Sequence, residues 1–325
     1  MGSCFRSFFS QKGALVILSD MVDGPTQAER ETLRRLLRLA RKEDLGGGPG
    51  QARLTGDVTS AMLPASARAR GRFVARQGLV FCGGAFLADI AAAYDKAIRT
   101  TVEAAEGERV ERGAVLAEWA GKARAVLAAE RVALNFLQHL SAIATLTRKY
   151  VDAVAGTRAA IYDTRKTTPG WRALEKYAVR VGGGRNHRMG LYDAVLVKDN
   201  HLAVLAGPGR KDAMAALADK LASARKGLSG GFVEVEASTL DELAEALKLP
   251  VDVIMLDNMP AGDTRKAVAI RDKAGLRGKV AFEASGGITL DNVRSVAETG
   301  VERIAIGALT HSAAAVDIAL DVETV

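Results

Sequence analysis

Aromatic residues make up only 5% of this 325-residue chain, and no basic stretch is interleaved with them. The stacking surface of a single-strand binder is therefore missing, and nucleic acid is not an expected partner. Cysteine is scarcer still: Cys4 and Cys82 stand far apart with no neighbouring histidine pattern. That excludes a disulfide framework and a zinc site and fits a reducing, cytoplasmic setting. No apolar run reaches the length that crosses a bilayer, so no membrane association is expected. A terminal block of lysine or arginine is also lacking, although Lys plus Arg exceed Asp plus Glu by 45 to 38. The surplus charge must then serve a tail, a nucleic-acid surface or a site for anions.

A hydrophobic content of 48% over this length supports two moderate domains. Residues 1–25 read as a disordered leader with Met21 as an alternative start; their serines, Arg6 and Lys12 faintly resemble a transit peptide. Thr26 with Glu29 three residues on forms a capping-box pattern, and Leu33, Leu36, Leu37 and Ala40 follow at helical spacing up to GGGPG. From Asp57 to about Gly121 short alternating strands and many glycines predict a small mixed α/β unit. Residues from about Ala123 to Val154, rich in Ala and Leu without Pro or Gly, predict one long helix or two joined end to end. Beyond it, apolar runs, polar clusters and helical stretches alternate, which predicts parallel strands with helical crossovers. The strand candidates are AAIYDTRK, DAVLVK, GFVEVE, DVIMLD, KVAFEAS and ERIAIG. In a β/α barrel their carboxyl ends would bring Arg165, Lys166, Lys198, Glu236, Asp257, Ser285 and Gly307 to one mouth; an open doubly wound sheet would gather them less completely.

The stretch from Asp163 to His201 concentrates cations. Arg172, Lys176 and Arg180 lie three to four apart on a helix, the pattern of a solvated face, and are left out of the site. Arg165 and Lys166 directly follow a strand, and His187 and Arg188 follow the glycines GGG, where a helix face is no explanation, although a surface loop is. Guanidinium forks suit planar carboxylates, so a planar dianionic ligand is implied. Arg131 sits on a largely apolar helix and reads equally as a ligand or as a core-packed stem partnered by Glu130. Glu234 and Glu236 share one face of their strand. Glu236 with Asp257 could hold Mg²⁺ or merely form salt bridges to the cations. ASGGI and IAIGALTHS are glycine turns after strands, each a weak sign of anion binding and together a better one near the end of a barrel.

These segments, with EDLG, GDVTS, AERVALNFLQHLSAIAT, the whole of DTRKTTPGWRALEKYAVRVGGGRNHRMGLYDAVLVKDNH, EVEASTLDEL and IMLDN, resemble the quinolinate phosphoribosyltransferase family. The resemblance implies an N-terminal α/β sandwich domain (26–133, rejoined by 312–325) followed by an incomplete parallel β/α barrel (134–311), in a homodimer or dimer-based oligomer with a shared active site. It implies quinolinate held by Arg131 (from the neighbouring subunit), Arg165, Lys166, His187, Arg188 and Lys198. Phosphoribosyl diphosphate and Mg²⁺ would engage Lys166, Glu236 and Asp257, with phosphate on Ser285, Gly286, Gly287, Gly307 and His311. No organic cofactor is expected. The implied reaction joins the pyridine nitrogen to the anomeric carbon, releases diphosphate and then CO₂, and makes Lys166, Lys198, Glu236 and Asp257 the catalytic candidates. GGGPGQARLTG interrupts the family pattern, and EASTL replaces an acid the family more often has after EVE. The rivals are a paralogue with another carboxylated acceptor, a Schiff-base lyase using Lys198, and a basic nucleic-acid-binding protein.

Overall fold

The computed structural model describes residues 24–46, 56–206, 213–228 and 230–325. Apart from Gly24, Pro25, Gly46 and Gly56, the expected leader and the GGGPGQARLTG interruption lie outside the described residues. Helix α1 (Gln27–Leu45) starts at the capping box the sequence announces. Glu29 N–H donates to Thr26 Oγ1 at 3.3 Å, and Thr26 N–H donates to the Glu29 carboxylate at 2.7 Å, so both donors at the helix start are satisfied. Leu33 and Leu37 bury its apolar stripe.

The small α/β unit comprises β1 (Arg68–Ala75), β2 (Leu79–Val80), α2 (Leu87–Tyr94), β3 (Arg99–Val102), β4 (Arg109–Val110) and β5 (Val115–Lys122). The last strand of the chain, β12 (Ile318–Thr324), returns to pair antiparallel with β1. The resulting antiparallel sheet has the order β12-β1-β5-β3, and β2 pairs with β4. Phe73 and Trp119 meet edge to face with ring centroids 4.9 Å apart beneath it, a favoured aromatic geometry. Helix α3 (Ala123–Ala153) is one unbroken helix, and the expected domain division between 133 and 134 falls inside it. It packs against β1, β5 and β12 on one side and against barrel elements on the other, so it serves as the common wall of both layers.

Each of the six apolar runs becomes a strand: β6 (Ala160–Tyr162), β7 (Val195–Val197), β8 (Val233–Ala237), β9 (Val253–Asp257), β10 (Ala281–Ser285) and β11 (Arg303–Ala305). Between them run α4 (Arg172–Val181), α5 (Asp199–Ala206), α6 (Ala213–Gly227), α7 (Leu240–Ala246), α8 (Ala261–Lys273) and α9 (Val293–Ala297), with the short α10 (Ala308–His311) after β11. The strands are parallel in the order β6-β11-β10-β9-β8-β7. Arg185 adds one parallel bridge to Tyr162 on the outer side of β6. The barrel is therefore incomplete, with its seam between the segment after Arg185 and β7. No helix among the described residues is long and apolar enough to cross a membrane.

Candidate active site

In parallel pairs, residues opposite one another face the same way. The register sets Ser285 beside Asp257, and Glu283 beside both Met255 and Arg303, with Met255 also beside Glu236. These side chains point into the barrel, and at its carboxyl end they open onto a cavity of about 770 Å³. Arg165, Lys166, His187, Arg188, Lys198, Asp257, Ser285, Gly286, Gly287, Gly307 and His311 all line it. Glu236 is 8% exposed and reaches the same place through Lys198, whose Nζ donates to its Oε2 at 2.9 Å.

Two proposed ligands stand differently from the rest. Arg131 is exposed on α3 and is not among the residues lining the cavity. The alternative of a core-packed stem paired with Glu130 is not what the fold adopts, because among the described residues neither forms an ion pair. His187 borders the cavity and is 8% exposed, but both ring nitrogens face protein. Nε2 lies 2.9 Å from Glu234 and 3.4 Å from Glu283, and Nδ1 accepts the Arg188 N–H at 2.8 Å.

Behind His187 the barrel interior is charged. Arg303 donates to Glu283 at 2.6 Å and lies over the rings of Tyr162 and Phe232, 4.2 and 4.8 Å from their centroids. Burial lowers the affinity of the His187 ring for a proton, but the hydrogen bonds to Glu234 and Glu283 outweigh it and raise its pKa to about 9. Burial, and then Glu283, also raise Glu234. The Arg188 N–H at Nδ1 leaves that nitrogen an acceptor, so the proton that titrates near 9 belongs to the His187–Glu234 pair and not to the ring alone. His187 and Glu234 thus share one proton, and either placement neutralises Glu283, Glu234, His187 and Arg303 as a group.

The cations at the mouth are not neutralised in this way. Arg165, Lys166 and Arg188 have no ion pair among the described residues, although Arg188 is only 9% exposed. Among the described residues one hydrogen bond, from Nη1 to the Ala194 carbonyl at 3.2 Å, holds its guanidinium. Burial, and then the Arg165 guanidinium, push Arg188 below the ordinary arginine range. Arg165 Nε is buried without a partner. A buried cation without an anion is strongly unfavourable, so this corner of the cavity is built for a negatively charged ligand.

The opposite wall suits phosphate. Gly286 has φ +90° and packs against the Asn258 side chain where a Cβ would stand, while a Cβ on Gly307 would come within 2.9 Å of Lys166 Cδ and 3.1 Å of His311 Nε2. Only glycine allows these close approaches. For a hard cation the oxygen donors are Asp257, whose Oδ2 accepts from Asn258 Nδ2 at 2.7 Å, and Glu236. Asp257 on the cavity wall and Glu236 on the adjacent strand behind Lys198 are oxygen donors of the kind Mg²⁺ takes, although Glu236 also forms the salt bridge of the simpler reading.

One sequence expectation is overturned. Lys176 is fully buried, not solvated: it forms an ion pair with the equally buried Asp163 and donates to the His187 carbonyl at 3.1 Å. Arg172 donates to the Met189 carbonyl at 3.1 Å, and Arg180 to Glu29 at 2.8 Å. The cationic stripe of α4 is covered by the segments at 163–167 and 186–189 and by Glu29 of α1, and helical spacing defines a face without saying what covers it. Asp163, Asn186, Glu234, Glu283 and Arg303 were also missed. The one available signal was acids and an arginine on otherwise apolar strands.

Residues 57–141 match the family model described as quinolinate phosphoribosyl transferase, N-terminal domain, and residues 143–321 match that of the C-terminal domain. The chain is 40% identical over 292 residues, 89% of this chain and 93% of the relative, to the probable nicotinate-nucleotide pyrophosphorylase (carboxylating) of Bacillus subtilis. It is 41% identical over 299 residues to the Mycobacterium leprae enzyme of that name, covering 90% and 97% of the two chains. The solved nicotinate-nucleotide pyrophosphorylase of Francisella tularensis superposes with a TM-score of 0.78 at 36% identity, over 94% of this chain and 99% of that one. Both halves of the sequence, the parallel barrel and the antiparallel sheet before it lead to one conclusion: the chain belongs to the quinolinate phosphoribosyltransferase family.

Proposed function

We propose that this chain transfers the phosphoribosyl group of phosphoribosyl diphosphate to quinolinate, with decarboxylation, to give nicotinate mononucleotide, diphosphate and CO₂. The observation that carries this reading is the uncompensated pair Arg165 and Arg188 in the same cavity as the carboxylate of Asp257, with Glu236 joined to that cavity through Lys198. Guanidinium groups grip the two ring carboxylates by paired hydrogen bonds, and Lys166 and Lys198 add point charges. This grip orients the ring nitrogen towards the sugar, and orientation alone lowers the barrier. Ser285, Gly286, Gly287, Gly307 and His311 would hold the phosphate end. Mg²⁺, held by Asp257 and Glu236, would neutralise the departing diphosphate. The same carboxylates favour positive charge developing on the sugar. Once the ring nitrogen is quaternary, the electrons left at carbon 2 by departing CO₂ are stabilised beside it, and a proton from Lys198 or water completes the product.

Arg131, exposed on α3 away from its own cavity, suits a homodimer in which it completes the partner's site. A Schiff-base role for Lys198 is disfavoured, since its Nζ is held by Glu236 and not set in the apolar surroundings such an amine needs. The test is incubation with quinolinate, phosphoribosyl diphosphate and Mg²⁺. Nicotinate mononucleotide with an equal amount of CO₂ is expected, and product from another carboxylated acceptor in preference to quinolinate would overturn the assignment.

A further inference from the structure

Directly behind the cavity lies a charged pair that is not itself among the proposed ligands. Lys176 and Asp163 are both 0% exposed at the side chain, and neither lines the cavity. Burying such a pair is seldom more stabilising than apolar packing of the same volume, so its presence calls for another explanation. The backbone supplies one. Arg185 still belongs to the sheet: its N–H donates to the Ile161 carbonyl at 2.8 Å, and its carbonyl accepts from Asp163 N–H at 3.1 Å. Two residues on, the ladder has ended, and the pair takes its place. His187 N–H donates to Asp163 Oδ1 at 2.8 Å, and the His187 carbonyl accepts from Lys176 Nζ at 3.1 Å. Both main-chain polar groups of His187 are thus satisfied by these two side chains, and Arg188 is the next residue.

The pair is itself held from outside. Asn186 Nδ2 donates to Asp163 Oδ2 at 2.6 Å and to the Lys176 carbonyl at 2.9 Å, while its Oδ1 accepts from Arg180 Nη1 at 3.0 Å. Arg180 Nη2 reaches Glu29 Oε1 at 2.8 Å, and Glu29 is the buried capping-box residue of α1. A continuous polar chain therefore runs from the start of α1 to the main chain that carries Arg188.

We propose that Asp163 and Lys176 are positioning residues that fix the main chain at His187 and Arg188, and so aim the Arg188 guanidinium at a carboxylate of the substrate. The inference rests on the reading of this cavity as a quinolinate site. Phosphoribosyl diphosphate would bind on the opposite wall, built on β9, β10 and the turn after β11, so the two substrates should respond differently when the pair is broken. A structural role alone would impair both together.

The experiment compares wild type, Lys176→Met and Lys176→Gln by kcat, by KM for each substrate and by melting temperature. Lys176→Met keeps the apolar stem and removes the donor. It is expected to raise the quinolinate KM on the order of tenfold or more, with the phosphoribosyl diphosphate KM held within about twofold. Lys176→Gln retains a donor for the His187 carbonyl and is expected to recover most of the loss. An unchanged quinolinate KM in Lys176→Met, or parallel rises for both substrates that Lys176→Gln does not relieve, would overturn the proposal. If Lys176→Met does not fold, Asn186→Ala, which cuts the chain one step further out, should give the same split at smaller amplitude, and no split would overturn the proposal as well. Should wild type not turn over quinolinate, it is the functional reading that fails. The positioning role is then decided by a crystal structure of Lys176→Met or Asn186→Ala, in which a displaced His187–Arg188 main chain supports it and an unmoved one refutes it.

Discussion

In the N-terminal sheet, Arg70, Arg72 and Arg76 each meet a carboxylate on a neighbouring strand, at Glu118, Glu323 or Asp321, and all these side chains are between 28% and 55% exposed. At the barrel mouth, Arg188 is only 9% exposed and Arg165 is half-buried with its Nε shielded, and neither has a carboxylate partner among the described residues. The same side chain thus occurs in two electrostatic settings. Water and nearby acids already satisfy the arginines of the sheet, so each contributes little. Those of the barrel are desolvated and left in want of an anion, so the free energy they can yield is reserved for a ligand.

The largest effect expected from this contrast is at Arg188. Arg188→Ala should weaken quinolinate binding on the order of 10²-fold or more while sparing phosphoribosyl diphosphate. Equilibrium binding of each substrate measures this, and unchanged quinolinate affinity would remove Arg188 from the site. Next in size is Asp257→Asn, expected to lower Mg²⁺-dependent turnover by roughly 10² with quinolinate binding intact. Full activity would contradict its assignment.

The charged interior behind the mouth gives a pH test. The folded pKa of His187, at about 9, lies above its ordinary 6.5. The stability this contributes is fully present below pH 6.5 and is lost as pH rises through about 9, when the shared proton leaves Glu234 and Glu283 both ionised against a neutral ring. The loss is at most ~3 kcal/mol, visible as a falling melting temperature across that window. His187→Asn should flatten the slope, and an unaltered slope would place the titration elsewhere. The smallest effect belongs to the sheet: Arg76→Ala should change stability by no more than about 1 kcal/mol and leave both substrate KM values alone. A large loss of activity there would erase the distinction between the two regions.

Much of this architecture is legible in the sequence. The capping box at Thr26 and Glu29, the helical stretch from Ala123 to Val154 and all six barrel strands follow from spacing and from apolar runs that end in polar residues, although whether that stretch is one helix or two does not. Because strand ends of a parallel barrel converge, Arg165, Lys198, Asp257 and Ser285 could be assembled on paper. The failures share one cause. The helical spacing of Arg172, Lys176 and Arg180 identifies a common face, yet only tertiary packing against the 163–167 and 186–189 segments and Glu29 decides that this face turns inwards. Likewise, Glu283 and Arg303 are legible as polar residues on apolar strands, but their pairing depends on a parallel register that joins residues 20 apart in sequence. His187 borders the cavity, in keeping with its place after the glycines, and only the tertiary structure shows that Glu234 holds its ring.

The central claim is that unneutralised cations at the barrel mouth select a ligand with two carboxylates. Calorimetric titration of wild type and Arg188→Ala with quinolinate and with nicotinate, which lacks the second carboxylate, tests it most directly. Wild type should bind quinolinate at least tenfold more tightly, roughly the contribution of one charge-assisted contact, and Arg188→Ala should lose most of that preference. Equal affinity of wild type for both acids, or a preference that survives in Arg188→Ala, would contradict the account.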